Sequence, residues 1–376
     1  MKSLSIFLLG TQMTIGGAQR VLLDQAQWFH DHGYKVTVAF FYDKDGLFNS
    51  WKDSHEFPIL NLQAYDPKVT GFKQAVLLMS GLGKLWRIIR LSKIDALITY
   101  THDSNMLGLP VAWAAGVPVR IGTHLGAIRG MPRWREKIHS LLINIGCAQV
   151  LVAASKGTYQ KSLLEGISPE RIEIIPNGIQ PFQVDPVQRR IVRGSLGLQE
   201  GDIFLLSVGR LVYEKGHEYL IRAMAEVVQQ FPAAKAGICG SGPLYEFLES
   251  LIDRNKLDDR VKLLGKWDEI PHLLAAADIF ILPSRWEGLP MALLEGMMAS
   301  LPVIATRVDG VEEVIVNGAQ GLLVPLEDAD ALGKAILQLL SDPEKRALMG
   351  SSARARVFEG YTTERMCEQY MTLIMK

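Results

Sequence analysis

Residues 279–296 read IFILPSRWEGLPMALLEG, and the architecture follows from this stretch. Its first four residues, Ile279–Leu282, form an apolar run of the length expected for a buried parallel strand. A loop containing Glu287 comes next, and a helix is predicted to begin near Pro290, a residue tolerated in the first helical turn. Glu295 then falls in the second turn of that helix. The stretch therefore predicts a strand, loop and helix unit that presents two carboxylates.

Similar apolar runs alternate with helical segments along the whole chain, which is typical of parallel α/β layers. The predicted strands are Leu4–Leu9, Lys35–Phe41, Ile94–Tyr100, Val119–Gly122, Gln149–Ala153, Ile203–Val208, Ala234–Cys239, Val261–Leu264, Ile279–Leu282, Val303–Ala305 and Leu322–Val324. Helices are predicted over Ala18–His32 and Pro132–Ile145, and from points near Lys215, Leu244, Asp268, Met291 and Asp328.

Ile174-Ile175 is predicted to end a strand, and the turn chemistry of Pro176-Asn177-Gly178 places the domain boundary near Ile179–Asp185. We therefore expect an α/β protein with two Rossmann-like doubly wound domains, residues 1–182 and 183–362, facing across a cleft. The last helix, about 363–375, is a candidate to pack back on the first domain. Ligands of such folds bind outside the carboxyl ends of the strands.

The bulk composition is that of a globular protein, since 48% of the 376 residues are hydrophobic and 21% are charged. That length suits two domains. The formal net charge is zero, but residues 1–180 hold 19 Lys+Arg against 13 Asp+Glu (+6), and the remainder holds 21 against 27 (−6). This asymmetry indicates either an anionic partner for the first half or scattered surface charge without function.

Cysteine usage and hydropathy bear on the compartment. The three cysteines, Cys147, Cys239 and Cys367, are widely spaced, so neither a disulfide framework nor a zinc site is indicated. A reducing, cytoplasmic environment is expected. The start of the chain superficially resembles a signal peptide, but its apolar run is short and a glycine pair follows, so a first buried strand is predicted. No apolar run approaches the roughly 20 residues that span a bilayer.

A glycine pair, Gly16-Gly17, lies between the first strand and the first helix. Glycines there let a ligand approach the backbone, and a helix N-terminus offers unpaired N–H groups to an anion. A tight strand-to-helix turn explains the pair equally well. The dinucleotide fingerprint G-x-G-x-x-G is absent, which argues against a dehydrogenase.

Two cations, Arg210 and Lys215, follow the strand Ile203–Val208. The guanidinium can bind two phosphate oxygens at once and the ammonium is a mobile point charge, so together they suit a diphosphate. Lys215 is predicted at a helix N-terminus, where the dipole disfavours a cation unless an anion is bound. We take this placement as a sign of an anionic ligand.

The two carboxylates of the opening stretch differ in their interpretation. Eight residues on a helix would leave Glu287 and Glu295 about 80° apart around its axis, so they would face different parts of an extended ligand. Each can accept hydrogen bonds from sugar or ribose hydroxyls. Capping of a helix N-terminus explains Glu287 alone, but it does not explain Glu295 on an otherwise apolar helix.

With these residues in place, the segment Glu287–Pro302 resembles the retaining glycosyltransferases of family four (glycosyl transferases group 1), which have the GT-B fold. Seven residues separate its two glutamates. Other elements match in the same order, namely the Gly16-Gly17 turn, residues 176–178, residues 209–216 and residues 318–325. The resemblance spans nearly the whole chain and is strongest in the second half.

The resemblance implies roles for individual residues. Arg210 and Lys215 would hold the donor pyrophosphate and support the leaving nucleotide, Glu287 would bind hydroxyls of the transferred sugar, and Glu295 those of the ribose. Further donor contacts are expected from Gly16, Gly17, Gly240, Gly242, Lys266, Trp267, Gly288, Leu289, Pro290 and Met291. The catalytic set would be His124, Glu287, Arg210 and Lys215.

Two histidines, His102 and His124, each follow a strand of the first half. A histidine at a strand end is more often structural than catalytic. The resemblance favours a position for His124 near the anomeric carbon of the donor sugar, whereas His102 is a candidate acceptor contact or a support for its neighbour. Asp103 could orient either ring.

No metal or other cofactor is expected. The acidic pair in Asp328-Ala329-Asp330 lies where a helix starts and is interpreted as capping. Basic and aromatic residues alternate in Lys84–Lys93 and in Arg129–Lys137. These segments either contact an anionic membrane or pack their apolar faces inward with solvated charges outside. Neutral overall charge and the lack of a recognisable module argue against nucleic acid.

We therefore predict a retaining, metal-independent glycosyltransferase. The donor would be a nucleotide diphosphate sugar, a UDP-sugar before GDP-mannose, and the acceptor a glycan or a lipid-linked glycan of surface polysaccharide or lipopolysaccharide synthesis. The predicted location is the cytoplasm, with the inner face of the membrane as a candidate surface. Two alternatives stay open, a nucleotide-sugar epimerase of the same architecture and a non-catalytic nucleotide-sugar or glycan-binding module.

Overall fold

The computed structural model describes residues 3–126 and 131–376. The chain divides into two compact units, one formed by Met1–Gln180 with Thr363–Lys376 and the other by Pro181–Thr362. The first segment of the first unit ends at Gln180, two residues before the predicted boundary at 182. Residues 129 and 130 of the predicted basic segment Arg129–Lys137 lie outside the described residues.

The first unit contains a seven-stranded parallel sheet in the order β3-β2-β1-β4-β5-β6-β7. Its strands are β1 (Ser5–Met13), β2 (Lys35–Asp43), β3 (Ile59–Asn61), β4 (Ala96–Tyr100), β5 (Val119–His124), β6 (Val150–Ala153) and β7 (Ile172–Ile174). Its helices are α1 (Gly17–Asp31), α2 (Phe48–Ser54), α3 (Phe72–Ser92), α4 (His102–Ala114), α5 (Arg133–Asn144) and α6 (Lys156–Leu164).

Two features of this sheet differ from the prediction. Strand β3 was not predicted, and of β7 only the end at Ile174-Ile175 was predicted, because three residues are too few to show an alternating pattern. Strand β1 was predicted to end at Leu9 but continues to Met13, which pairs with Asp43 of β2. The loop before α1 is therefore shorter than the sequence suggested, only Thr14–Gly16.

The last helix belongs to the first unit. It is α15 (Thr363–Met375), and Thr363 N donates to the carbonyl oxygen of Ile179 at 3.0 Å. The indole Nε1 of Trp28 on α1 donates to Glu364 at 2.5 Å, and Met366 and Tyr370 of α15 are buried. Apolar burial and this polar contact together hold the C-terminal helix in the unit that contains α1.

The second unit contains a six-stranded parallel sheet in the order β10-β9-β8-β11-β12-β13. Its strands are β8 (Ile203–Val208), β9 (Ala234–Cys239), β10 (Val261–Gly265), β11 (Ile279–Leu282), β12 (Val303–Thr306) and β13 (Gly321–Val324). Its helices are α7 (Pro186–Ser195), α8 (His217–Gln230), α9 (Tyr245–Arg254), α10 (Ile270–Ala276), α11 (Met291–Met298), α12 (Asp309–Glu312), α13 (Ala329–Leu340) and α14 (Pro343–Gly360).

Every predicted strand of this unit is present within one residue at each end. Strands such as β8, β11 and β12 are largely buried and therefore consist of apolar runs. The capping interpretation of Asp328 is confirmed, since its Oδ1 accepts from Ala331 N at 2.8 Å at the start of α13. None of the helices in the described ranges combines the length and apolarity that a membrane-spanning helix requires.

Candidate functional site

The loops at the carboxyl edge of the second sheet are tied to each other by backbone hydrogen bonds. Gly209 N donates to Cys239 O at 2.9 Å, and Gly240 N donates to Gly265 O at 2.8 Å. A Cβ at Gly240 would lie 1.9 Å from the carbonyl oxygen of Gly209, so only glycine allows this approach. The three loops after β8, β9 and β10 therefore form one rigid edge, where ligands of doubly wound folds bind.

The loop after β8 also lies directly against the loop after β11. Gly216 adopts a left-handed conformation (φ +58°), and a Cβ there would meet Pro283 O at 2.2 Å. Arg285 N donates to Glu214 O at 2.8 Å. These contacts bring together the two segments that the sequence singled out separately.

Lys215 and Glu287 form an ion pair at the centre of this arrangement. Lys215 Nζ donates to Glu287 Oε1 at 2.6 Å, and Ser284 Oγ donates to the same oxygen at 2.7 Å. The Lys215 side chain is 18% exposed and that of Glu287 10%. The two residues that were predicted to contact phosphate and sugar are thus direct neighbours.

One part of the argument for Lys215 was wrong. Lys215 ends a short 3₁₀ turn (Tyr213–Lys215), and α8 begins two residues later at His217. The anion that offsets its charge is the Glu287 carboxylate of the same chain. The position of Lys215 near a helix start is therefore no evidence of a bound ligand.

Arg285 joins the elements of this edge, and the sequence analysis assigned it no role. Its guanidinium is 7% exposed and donates to Glu218 at 2.6 Å, to Glu327 at 2.5 Å, to Tyr219 Oη at 2.8 Å and to the carbonyl oxygen of Tyr213 at 2.6 Å. Burial opposes its charge, but the hydrogen bonds to Glu218 and Glu327 outweigh this and raise the pKa of Arg285. The loop that contains Glu287, two residues further along the chain, is tied to the β8 loop by the Arg285 hydrogen bond to Tyr213.

The other predicted donor residues of the second unit differ in exposure. The Arg210 side chain is 65% exposed and its guanidinium lies 3.7 Å from Glu214. Lys266 is exposed and Trp267 is half-buried, in the loop after β10. Gly242 packs on the β8 loop, where a Cβ would meet Leu211 O at 2.4 Å. Arg210 and Lys266 are thus charges that a ligand at this edge can reach.

The helix start at Met291 is as predicted, with Pro290 as its N-cap. Gly288 and Leu289 precede it, and a Cβ at Gly310 would lie 1.4 Å from Gly288 O, so α12 holds this loop in place. Glu295 is buried on α11. The helix rests closely on β11, because a Cβ at Gly296 would lie 2.6 Å from the Phe280 ring.

His217 is a buried residue of this edge that the sequence analysis did not select. Its Nδ1 lies 3.2 Å from Ser207 Oγ, at the first residue of α8. Burial and the nearby Lys215 charge lower the pKa of His217 to about 4, so its ring is neutral at pH 7. Its signal in the sequence was weak, a single histidine directly after Lys215-Gly216.

In the first unit, the glycine pair begins α1. Gly16 is the N-cap in an extended conformation (φ −174°), which any residue can adopt, and Gly17 is the first helical residue. The N-cap has no side-chain hydrogen bond and no acidic residue lies in the first turn. Backbone conformation therefore does not require glycine at position 16, whereas close approach by a ligand would.

His102 and His124 belong to a buried cluster with two residues that the sequence did not reveal, His139 and Glu165. Glu165 Oε2 lies 3.3 Å from His102 Nε2 and 3.2 Å from His139 Nδ1, and its Oε1 lies 4.0 Å from His124 Nε2. Asp103 does not orient either ring as predicted, because its carboxylate pairs with Arg135. The cluster assembles from four separate segments, so no spacing in the sequence could have indicated it.

Hydrogen bonds define the tautomers of two of these rings. Asn105 Nδ2 donates to His139 Nε2 at 3.0 Å, while Asn105 Oδ1 accepts from Thr99 Oγ1 at 2.6 Å. Neutral His139 therefore carries its proton on Nδ1 and donates it to Glu165. Ser162 Oγ donates to Thr158 O, so it accepts from His124 Nδ1 at 2.8 Å.

The ligand atoms of His102, His139 and Glu165 lie within 4.8 Å of one another, a spacing that a metal ion could use. Metal ligation would need a bare Nδ1 on His139. The Asn105 hydrogen bond puts a proton on that atom instead. The geometry therefore favours a hydrogen-bonded cluster over a metal site.

We expect the cluster to make the first unit sensitive to acid. Burial lowers the pKa of His102 and of His139 to about 4, against 6.5 for the free side chain, and lowers that of His124 as well. These histidines therefore bind protons more tightly in the unfolded chain, and the stability that depends on their neutral form, fully present above pH 6.5, is lost as the pH falls towards 4. Thermal unfolding followed from pH 7.5 to 4 measures this, with the His102→Gln/His139→Gln variant as the comparison. An equally steep loss in that variant would contradict the assignment.

Comparisons with known proteins agree with this arrangement. The two parallel doubly wound units and the charged edge of the second define a protein of the GT-B class. Residues 188–356 match the model of the family Glycosyl transferases group 1, and residues 15–181 match Glycosyltransferase Family 4. The chain belongs to glycosyltransferase family 4.

Relatives and solved structures extend the comparison. The chain is 28% identical over 293 residues (75% of this chain, 76% of the relative) to an Escherichia coli UDP-Gal:alpha-D-GlcNAc-diphosphoundecaprenol alpha-1,3-galactosyltransferase. It is 33% identical over 214 residues (54% and 55%) to a Corynebacterium glutamicum GDP-mannose-dependent monoacylated alpha-(1-6)-phosphatidylinositol monomannoside mannosyltransferase. Three further relatives are covered over 57%, 46% and 43% of their own length. The structure of Anabaena HepE with UDP-glucose shares the fold (TM-score 0.87, 22% identity, 99% of each chain).

Proposed function

We propose that this protein transfers a hexose-type sugar from a nucleotide diphosphate donor to a glycan or lipid-linked acceptor, with retention of the anomeric configuration. The observation that carries this proposal is the Lys215–Glu287 pair at the carboxyl edge of the second sheet. A cation for the diphosphate and a carboxylate for sugar hydroxyls stand side by side there, as the family resemblance implies for these two positions.

The leaving diphosphate needs positive charge when the bond between sugar and phosphate breaks. We assign this task to Arg210 and Lys215. Arg210 is exposed and can bind two phosphate oxygens. Lys215 is already held at 2.6 Å from Glu287, so a phosphate that approaches it completes a network of cation, carboxylate and anion. No metal ion is required in this scheme.

Recognition of the donor's hydroxyl groups falls to the two carboxylates. Glu287 Oε1 accepts from Lys215 and Ser284, and a carboxylate has further acceptor positions for sugar hydroxyls. We assign Glu295 to the ribose. Backbone groups of residues 288–291 are proposed to contact sugar and phosphate, and the loops of Gly240, Gly242, Lys266 and Trp267 to lie beside the base.

We place the acceptor on the first unit. In the same unit we assign Gly16 and Gly17 as donor contacts, His124 to catalysis, and His102 as an acceptor contact or a support for His124. The sequence pattern assigns no carboxylate as a nucleophile. We therefore favour attack by the acceptor on the face of the sugar that the diphosphate leaves, over a covalent intermediate. The acceptor of the E. coli relative is a sugar linked to diphosphoundecaprenol. This supports a lipid-linked acceptor in surface polysaccharide or lipopolysaccharide synthesis, and contact of the protein with a membrane surface.

The donor assignment predicts selective stabilisation of the protein by nucleotide sugars. The named relatives use UDP-galactose and GDP-mannose. We expect a UDP-sugar at 100 times its Kd to stabilise the fold by about 2.7 kcal/mol, and we expect EDTA to change neither this shift nor the transfer rate. A thermal-shift panel of UDP-, GDP-, ADP- and dTDP-sugars with and without EDTA measures the stabilisation, and a transfer assay in EDTA measures the rate.

Three results would contradict this assignment. If no nucleotide sugar stabilised the folded protein, the donor site would be wrong. Loss of transfer in EDTA that is restored by added Mg²⁺ would contradict the metal-independent scheme. A new sugar isomer formed from the donor alone would identify an epimerase.

A further inference from the structure

Three helices of the first unit expose large apolar side chains on the side where a helix of a water-soluble domain is normally polar. Helix α5 exposes Trp134, Ile138, Leu141 and Ile145, the last of these directly after its final residue. Their spacing of four, three and four residues places them in one stripe along the helix. Trp134 is 60% exposed and Leu141 57%.

Helix α3 repeats this arrangement. Phe72, Val76, Met79 and Trp86 follow the same helical spacing, and all four are exposed, Phe72 to 84%. The inner side of the helix is also apolar, since Leu85 and Ile89 lie in the core. The helix is therefore apolar on two opposite sides, and the sheet covers only one of them.

These helices lie side by side. Helix α4 packs against both α3 and α5 and exposes Trp113 to 52%. Buried residues of the three helices, among them Leu85, Leu109 and Ile143, share one core cluster with the sheet. Their outward side chains therefore form one surface, which we call the α3–α5 face.

The charges that accompany this face are positive. Helix α3 contains Lys73, Lys84, Arg87 and Arg90 and no acidic residue. Helix α5 contains Arg133, Arg135 and Lys137 against Glu136, and Arg135 is paired with Asp103. An apolar surface that basic residues surround matches the interface of a membrane with anionic lipids.

We propose that the α3–α5 face docks on the surface of an anionic lipid membrane, with Trp86, Trp113 and Trp134 at the level of the headgroups. The proposal deepens the proposed function, because it names the surface on which a lipid-linked acceptor would be met. Of the two alternatives left by the sequence, inward packing with solvated charges outside does not account for the outward apolar side chains. The partner is the lipid interface itself and not the acceptor.

Vesicle co-sedimentation of the full chain tests the proposal. Wild-type protein is expected to bind vesicles of phosphatidylglycerol and phosphatidylcholine and to bind vesicles of phosphatidylcholine alone at least about tenfold more weakly. Ile138→Ser/Leu141→Ser and Phe72→Ser/Met79→Ser are each expected to weaken binding about tenfold or more. Leu348→Ser on α14 of the second unit, where Leu348 is 71% exposed, is the matched control and is expected to bind like wild type.

Each outcome has a consequence. The proposal is overturned if the α3 and α5 double variants bind vesicles like wild type, or if Leu348→Ser loses as much vesicle binding as they do. Failure of the wild type to bind, together with a dimer in sedimentation velocity that the same variants dissociate, shows that a second copy of the chain covers the face instead. Stabilisation by a nucleotide sugar is measured on the same variants without vesicles, so failure of the donor site and failure of membrane docking are told apart. All substitutions lie on exposed positions, and circular dichroism checks that the fold is retained.

Discussion

Replacing Lys215 with alanine is expected to lower the rate of sugar transfer about 10²- to 10³-fold, the effect of removing one preorganised charge from a developing anion. Glu287→Ala is expected to reduce transfer at least as much, because it removes both the proposed sugar contact and the group that positions Lys215. Radiochemical or coupled assays of nucleotide release with a lipid-linked acceptor measure both. Full activity in the two variants would refute the site assignment.

The ion pair provides a control for simple loss of structure. Removing one member leaves the other charge largely buried and unpaired, which destabilises the fold. The double variant Lys215→Ala/Glu287→Ala removes both charges, so it should recover part of the thermal stability that each single variant loses, but no activity. Lys235→Ala is the matched lysine control, since Lys235 lies near the start of β9 and its Nζ donates to the carbonyl oxygen of Asp259 at 2.7 Å. A double variant that regains transfer would show that the pair is structural.

Arg285→Ala is expected to have the largest effect on stability, about 3–5 kcal/mol in the free energy of unfolding of the second unit. The substitution leaves Glu218 buried without the guanidinium that it contacts at 2.6 Å, and it removes the hydrogen bonds to Tyr213 and Tyr219. Because the loop of Glu287 depends on the same network, stabilisation by the donor should also decrease. Denaturant unfolding and the nucleotide-sugar thermal shift measure the two effects.

Arg307→Ala is the matched control for this prediction. Arg307 pairs with Glu312 at 3.2 Å, and both side chains are about half exposed, so the expected change is below about 1 kcal/mol. Arg285→Lys retains the charge but not the guanidinium fork, and it should fall between wild type and alanine. A loss of stability in Arg285→Ala no greater than in Arg307→Ala would show that the network contributes little.

The extent of successful prediction differs between the two units. In the second unit every strand has at least four residues, and fully buried strands such as Ile279–Leu282 are marked directly by apolar runs. The first unit contains strands of three residues, Ile59–Asn61 and Ile172–Ile174, whose pattern is too short to define their bounds. They exist because neighbouring strands offer hydrogen bonds, which is a property of the assembled sheet.

In the candidate site, too, some residues could be selected from local sequence and others could not. Arg210, Lys215, Glu287 and Glu295 could be selected because glycines, a proline and strand ends flank them at recognisable spacings. Arg285 lay inside the selected stretch and was not assigned, because its partners Glu218 and Glu327 are distant in sequence. The Glu165 cluster was missed for the same reason.

By itself, the sequence determined two doubly wound domains, the family, and the residues of the proposed donor edge, because each depends on local pattern and spacing. Only the tertiary structure showed that Lys215 is neutralised by Glu287 and that Arg285 holds their loops together. It also showed that three histidines surround Glu165, and that α3 and α5 turn apolar stripes outward. Such facts depend on which distant segments meet and which helix side faces the sheet. Packing determines both, and the spacing of residues along the chain predicts neither.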